Sequence, residues 1–167
     1  MKTILEIFYV RIVGKMVRYQ HKTTNLSRKG GDPDAMIRSL LQEKRRAESG
    51  KIQEDEFVVH STSWRYTKPD KVLLTYAAYS DELEFKKGFH SLPLKKLRTI
   101  TKKSRKPQSH VELEKKVVSH AMRHIAFLIQ EGDQDDFKRA LKPETVKVFE
   151  KLWVSLAGEV LEGRSKK

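Results

Sequence analysis

The chain contains no cysteine, which excludes a disulfide framework, a thiolate-ligated zinc or iron–sulfur site and a thiol nucleophile. Glycine and proline are scarce, eight and five in 167 residues, so there is no low-complexity tract or Gly/Pro-rich interdomain linker. No apolar stretch approaches the roughly 20 residues that a membrane-spanning helix needs, and no membrane partner is expected. Acidic residues are the remaining deficit: 22 Asp and Glu stand against 35 Lys and Arg, a formal net charge of +13. A field of that sign draws in anions, among them nucleic acid, phosphorylated ligands and acidic proteins.

What is present is the composition of a folded, water-soluble chain: at 38% hydrophobic and 34% charged residues it is too apolar for disorder and too charged for a membrane protein. Its length suits one domain, read as residues 1–162, with a basic connecting segment at 86–108 and a frayed tail at 163–167. In the opening MKTILEIFYVRIVGKM, Lys2 precedes an apolar run as in a secretory signal. Glu6 and Arg11 break that run and no small-residue cleavage site follows, so the segment reads as strand and a cytoplasmic location is expected.

The β-branched and aromatic density from Ile4 to Tyr19 predicts one long bent strand or two short ones, with a bend at Gly14. The polar HKTTNLSRKGGDP that follows reads as a loop. Asp32 as cap and Pro33 at the first position open a helix whose apolar face is Met36, Ile37, Leu40 and Leu41. Residues 57–67 and 72–80 predict a hairpin turning at Pro69-Asp70. Strict alternation from that turn sends Val58, His60, Thr62, Trp64, Tyr66, Leu73, Thr75, Ala77 and Tyr79 to one face. It sends Val59, Ser61, Ser63, Arg65, Val72, Leu74, Tyr76 and Ala78 to the other. Both faces are partly apolar, so cover on both sides is expected. A short strand is placed near Leu97 to Thr101, a long helix over Val111 to Gln130, and a final helical region from Asp135 with a break at Pro143. The expected fold class is α+β: a small mixed or antiparallel sheet around a central hairpin, flanked by about three helices.

Three groups of residues carry candidate chemistry. His120 and His124 lie one helical turn apart and can share a metal ion, although no HExxH pattern accompanies them and they also suit the boundary of an apolar stripe. The run His60 to Tyr66, HSTSWRY, is unusually polar for a covered strand. Arg65 there can grip a phosphate or carboxylate. Ser61 and Ser63 point away from His60, so no nucleophile–base pair results, and there is no GxSxG turn. The third group is basic: Lys95, Lys96, Arg98, Lys102, Lys103, Arg105 and Lys106, with Arg28 and Lys29 beside Gly30-Gly31 before a helix start. The spacing is not that of a P-loop and no RNP-like pattern occurs.

The leading expectation is a non-enzymatic protein whose basic face binds RNA or single-stranded nucleic acid, with no cofactor implied. The second is a small hydrolase or transferase on a phosphorylated or carboxylated substrate. In it Arg65 holds the anion while His60 or His120/His124 moves protons, which requires hairpin and histidine helix to converge. A third is a regulator docking an acidic protein.

Overall fold

The computed structural model describes residues 2–26, 31–48, 56–68, 70–102, 107, 109–131 and 135–162. Five strands, β1 (Lys2–Val13), β2 (Met16–Asn25), β3 (Val58–Lys68), β4 (Lys71–Tyr79) and β5 (His90–Pro93), form one mixed sheet in the order β3-β4-β1-β2-β5. The helices are α1 (Pro33–Glu48), α2 (Leu97–Lys102), α3 (His110–Glu131), α4 (Asp135–Arg139) and α5 (Pro143–Glu162). The fold class is therefore α+β, as composition and patterning indicated.

β1 is the centre of the sheet, antiparallel to β2 and parallel to β4. Its residues from Leu5 to Val10 are all buried, and one of them is the carboxylate Glu6. Leu5, Ile7 and Tyr9 face α1, packing with Ile37, Leu41, Val59, Tyr76 and Ala78. Phe8 and Val10 face the other way, onto Val118, Met122 and Ile125 of α3 and Phe149 of α5. Helices thus cover both faces of the sheet.

Local chemistry accounts for the boundaries. Gly14, at φ +58°, makes the tight turn that joins β1 to β2, so the long bent strand resolves into two. Asp32 accepts the Asp34 amide at 3.0 Å and opens α1 as its sequence foretold. Asp81, buried just past β4, pins α5 to the sheet. Its carboxylate accepts the Tyr79 hydroxyl at 3.0 Å, the Thr145 hydroxyl at 2.7 Å and the Lys142 amide at 2.8 Å.

Three expectations are corrected. Residues His21 to Asn25 continue β2 rather than entering a loop, because their backbone pairs with Ile4 to Phe8 of β1. The segment near Leu97 is helix α2, not strand: Leu97, almost fully buried, and Ile100 turn inward at helical spacing while Lys95, Lys96 and Arg98 are exposed. Finally, the β3/β4 pairing carries two register shifts, at Thr62 and at Thr67, which together turn over the stretch Ser63 to Tyr66. Ser63 and Arg65 consequently share the face of Thr75 and Leu73, while Trp64 and Tyr66 share that of Leu74 and Val72.

Candidate functional site

The sheet face under α3 carries two polar clusters. The first is built on Glu6. Thr75, its neighbour on β4, donates its hydroxyl to Glu6 Oε2 at 2.7 Å, and Arg65 Nη2 lies 3.5 Å from the same oxygen. From the other side His21 Nε2 stands 3.3 Å from Glu6 Oε1, within ion-pair distance but off the line a hydrogen bond needs. His21 Nδ1 is 3.2 Å from Glu114 Oε1 on α3, and His110 Nε2, one helical turn earlier, is 3.2 Å from that same oxygen. Phe8 stacks on the His21 ring, with centroids 4.7 Å apart and planes at 11°, and so fixes its orientation.

Burial alone would raise the Glu6 carboxyl, but the close approach of His21, the Thr75 hydrogen bond and the charges of Arg65 and His21 outweigh it and hold Glu6 below its ordinary value. His21 is raised, chiefly by Glu6 against the cost of burial, with Glu114 adding to the shift. The cluster is therefore an imidazole, shifted toward its protonated form, between two buried glutamate side chains.

The second cluster is the one anticipated between hairpin and helix. His60 Nε2 lies 3.2 Å from His124 Nδ1, and the His120 and His124 rings are 4.1 Å apart. With Arg123, Phe127 and Leu128 these three histidines line a cleft of about 580 Å³. All three have lowered pKa values, first through burial; neighbouring His124 adds to the effect on His60 and His120, and Arg123 on His120 and His124. They are neutral at pH 7 and able to accept protons.

Convergence is thus met for His60, His120 and His124, but Arg65 is not part of it. It pairs with Leu73, four residues along β4 from Ala77, the partner of His60, a separation of about 13 Å. Arg65 is spent on Glu6 instead. Of the basic candidates, Lys95, Lys96 and Arg98 lie exposed beside β5. Lys102 closes the backbone of α2, and Arg28, Lys29, Lys103, Arg105 and Lys106 lie outside the described residues.

The chain matches no protein-family model and no curated protein sequence. Sequence reasoning missed Glu6, His21, His110 and Glu114. The available signal was Glu6 itself, a lone carboxylate in the most apolar strand of the chain, which has to find partners if the strand is central.

A further surface feature lies on edge strand β3. Trp64 and Tyr66 are 65% and 63% exposed, in contrast to the buried Tyr76 and Tyr79, and their rings meet edge to face with centroids 5.7 Å apart. One position beyond Tyr66, lysines occupy three adjacent places in the register: Lys2 opposite Lys71, and Lys71 opposite Lys68.

Proposed function

We propose that the protein is a non-enzymatic binder of single-stranded nucleic acid, stacking bases on Trp64 and Tyr66 and neutralising phosphates with its lysines. The observation that carries this reading is the exposed aromatic pair beside the Lys2, Lys71 and Lys68 positions. Aromatic side chains held open on a strand are a sequence-tolerant platform for bases. Like charges directly opposite across strands are destabilising, a cost that a bound phosphate relieves. The net charge of +13 supplies long-range attraction. The basic residues Lys95, Lys96 and Arg98 stand at the opposite edge of the sheet, about 19 Å away over four strand spacings, and form a second electrostatic contact.

The test is binding of labelled RNA and single-stranded DNA to nuclease-treated protein across a salt series. Affinity should fall steeply with salt, as counterion release requires. Trp64→Ala and Tyr66→Ala should each lose about 1–3 kcal/mol of binding. A Lys95/Lys96/Arg98→Glu variant should flatten the salt slope while leaving the stacking intact. Unchanged affinity in both aromatic variants would refute the platform, and retention of an acidic polypeptide by those same variants would favour protein docking through the cations.

One observation favours a second reading, a hydrolase or transferase: the 3.2 Å approach of His60 to His124 in an open cleft with Arg123. Neutral imidazoles there can take a proton from an attacking water while Arg123 holds an anionic substrate. Any phosphoester or carboxylester turnover found should vanish in His124→Ala; a fully active variant removes that cleft from the chemistry.

A further inference from the structure

We propose that His21, His110 and Glu114 form a binding site for a divalent transition-metal ion, with Glu6 as the outer carboxylate that orients His21. This goes beyond the nucleic-acid reading and does not depend on it.

Among the described residues, these three are the set of His and carboxylate groups whose ligand atoms all lie within 4.8 Å of one another. The separations have the right scale. Ligands at 2.0–2.2 Å from a tetrahedral or octahedral ion stand about 3–3.5 Å apart, and Glu114 Oε1 is 3.2 Å from both His21 Nδ1 and His110 Nε2. Two imidazoles and a carboxylate are the donor set of catalytic zinc and of non-haem iron sites.

Unsatisfied polar atoms point the same way. Glu114 is 6% exposed, and its second oxygen, Oε2, is buried without a hydrogen-bond partner among the described residues. The Tyr19 hydroxyl, two residues from His21 on the same strand face, is likewise buried and unpartnered. A buried acceptor left unpaired costs free energy that a cation would recover.

The surroundings supply what a ligating histidine needs. When Nδ1 of His21 faces the ion, Nε2 carries the proton on the side of Glu6 Oε1, 3.3 Å away, where a small rotation of either side chain completes the carboxylate–histidine–metal arrangement. Glu6 is in turn held by Thr75 and Arg65, and Phe8 stacks on the ring. Two buried carboxylates match the charge of a divalent ion. His110 is the exposed member, its side chain 68% accessible, so the site opens to solvent on that side and leaves a coordination position within reach of water.

The experiment is titration of chelator-treated full-length protein with Zn²⁺ by calorimetry and with Co²⁺ by visible absorption, together with ring-nitrogen NMR of the six histidines. The expected result is one ion per chain, with the ring signals of His21 and His110 moving. His110→Ala, an exposed substitution that should leave the fold intact, should lose at least tenfold in affinity. Glu6→Gln should weaken binding by about 10–100-fold as an outer-shell change. His124→Gln should bind as the wild type does. No uptake by the wild type, undiminished uptake by His110→Ala with a native circular-dichroism spectrum, or ring shifts confined to His60, His120 and His124 would overturn the assignment.

Discussion

Thr75 is fully buried and spends its hydroxyl on one acceptor, Glu6. Thr75→Val keeps the shape and deletes a hydrogen bond to a buried charge. It should destabilise the protein by about 1.5–3 kcal/mol in urea unfolding at neutral pH. Titration gives a sharper signature. His21 is raised above its reference value of 6.5, so its contribution to stability is complete below pH 6.5 and lost as pH climbs through the folded-state value. Glu6 is lowered from 4.5, so its contribution is complete above pH 4.5 and lost as pH falls through its own folded-state value. The stability gap between wild type and His21→Gln should therefore be widest from pH 4.5 to 6.5 and narrow at higher pH. His60, His120 and His124 have the opposite sign: lowered from 6.5, they favour the fold above that pH and oppose it on acidification. A His60→Gln/His124→Gln double variant should lose less stability than the wild type between pH 7 and 5. At this scale the sequence disclosed His120 and His124, because helical spacing makes them neighbours. It could not disclose His21 against Glu114, which meet only when α3 crosses β2.

At the scale of elements, helices were legible in sequence because their caps and apolar stripes are local. Asp32 and Pro33 opened α1 where expected, and α3 runs within a residue of its predicted span. The strands were harder. The polar run His21 to Asn25 has turn-forming composition, and only pairing with β1 makes it strand. The hairpin fared best near its ends: His60 faces α3 as alternation required, yet shifts at Thr67 and then Thr62 reverse the four residues between them. No local pattern announces a bulge on threonine. The reversal matters, since it delivers Arg65 to Glu6 and keeps Trp64 and Tyr66 in the open. Gly14 offers a test of the β1/β2 turn. A methyl there would meet nothing within 4 Å, so only the left-handed backbone opposes it. Gly14→Ala should cost about 1–2 kcal/mol, and Gly14→Asn distinctly less, as measured by thermal melting.

For the whole molecule, the charge excess was legible from composition, but not the placing of Lys95, Lys96 and Arg98 at the sheet edge opposite Trp64 and Tyr66. With +13 on one chain, self-repulsion works against the compact state. Raising ionic strength from about 0.01 to 0.15 M shortens the screening length from about 30 to 8 Å and should raise the melting temperature; a fall would mean that local ion pairs outweigh the long-range repulsion.

The central position of β1 also bears on how the chain is made. Its β2 side closes at once as a hairpin, whereas β4, which closes the other side, begins 58 residues after Val13 (71 − 13). At about 5–20 residues per second, a ribosome leaves that edge of β1 open for roughly 3–12 s. Until α1 is made the nascent hairpin presents the apolar row Leu5, Ile7 and Tyr9 uncovered, and throughout those seconds β1 lacks β4 at its side. The charged residues of β1, Lys2, Glu6 and Arg11, are then poor protection, and α1, emerging next, is the element that can shield the row until β4 arrives.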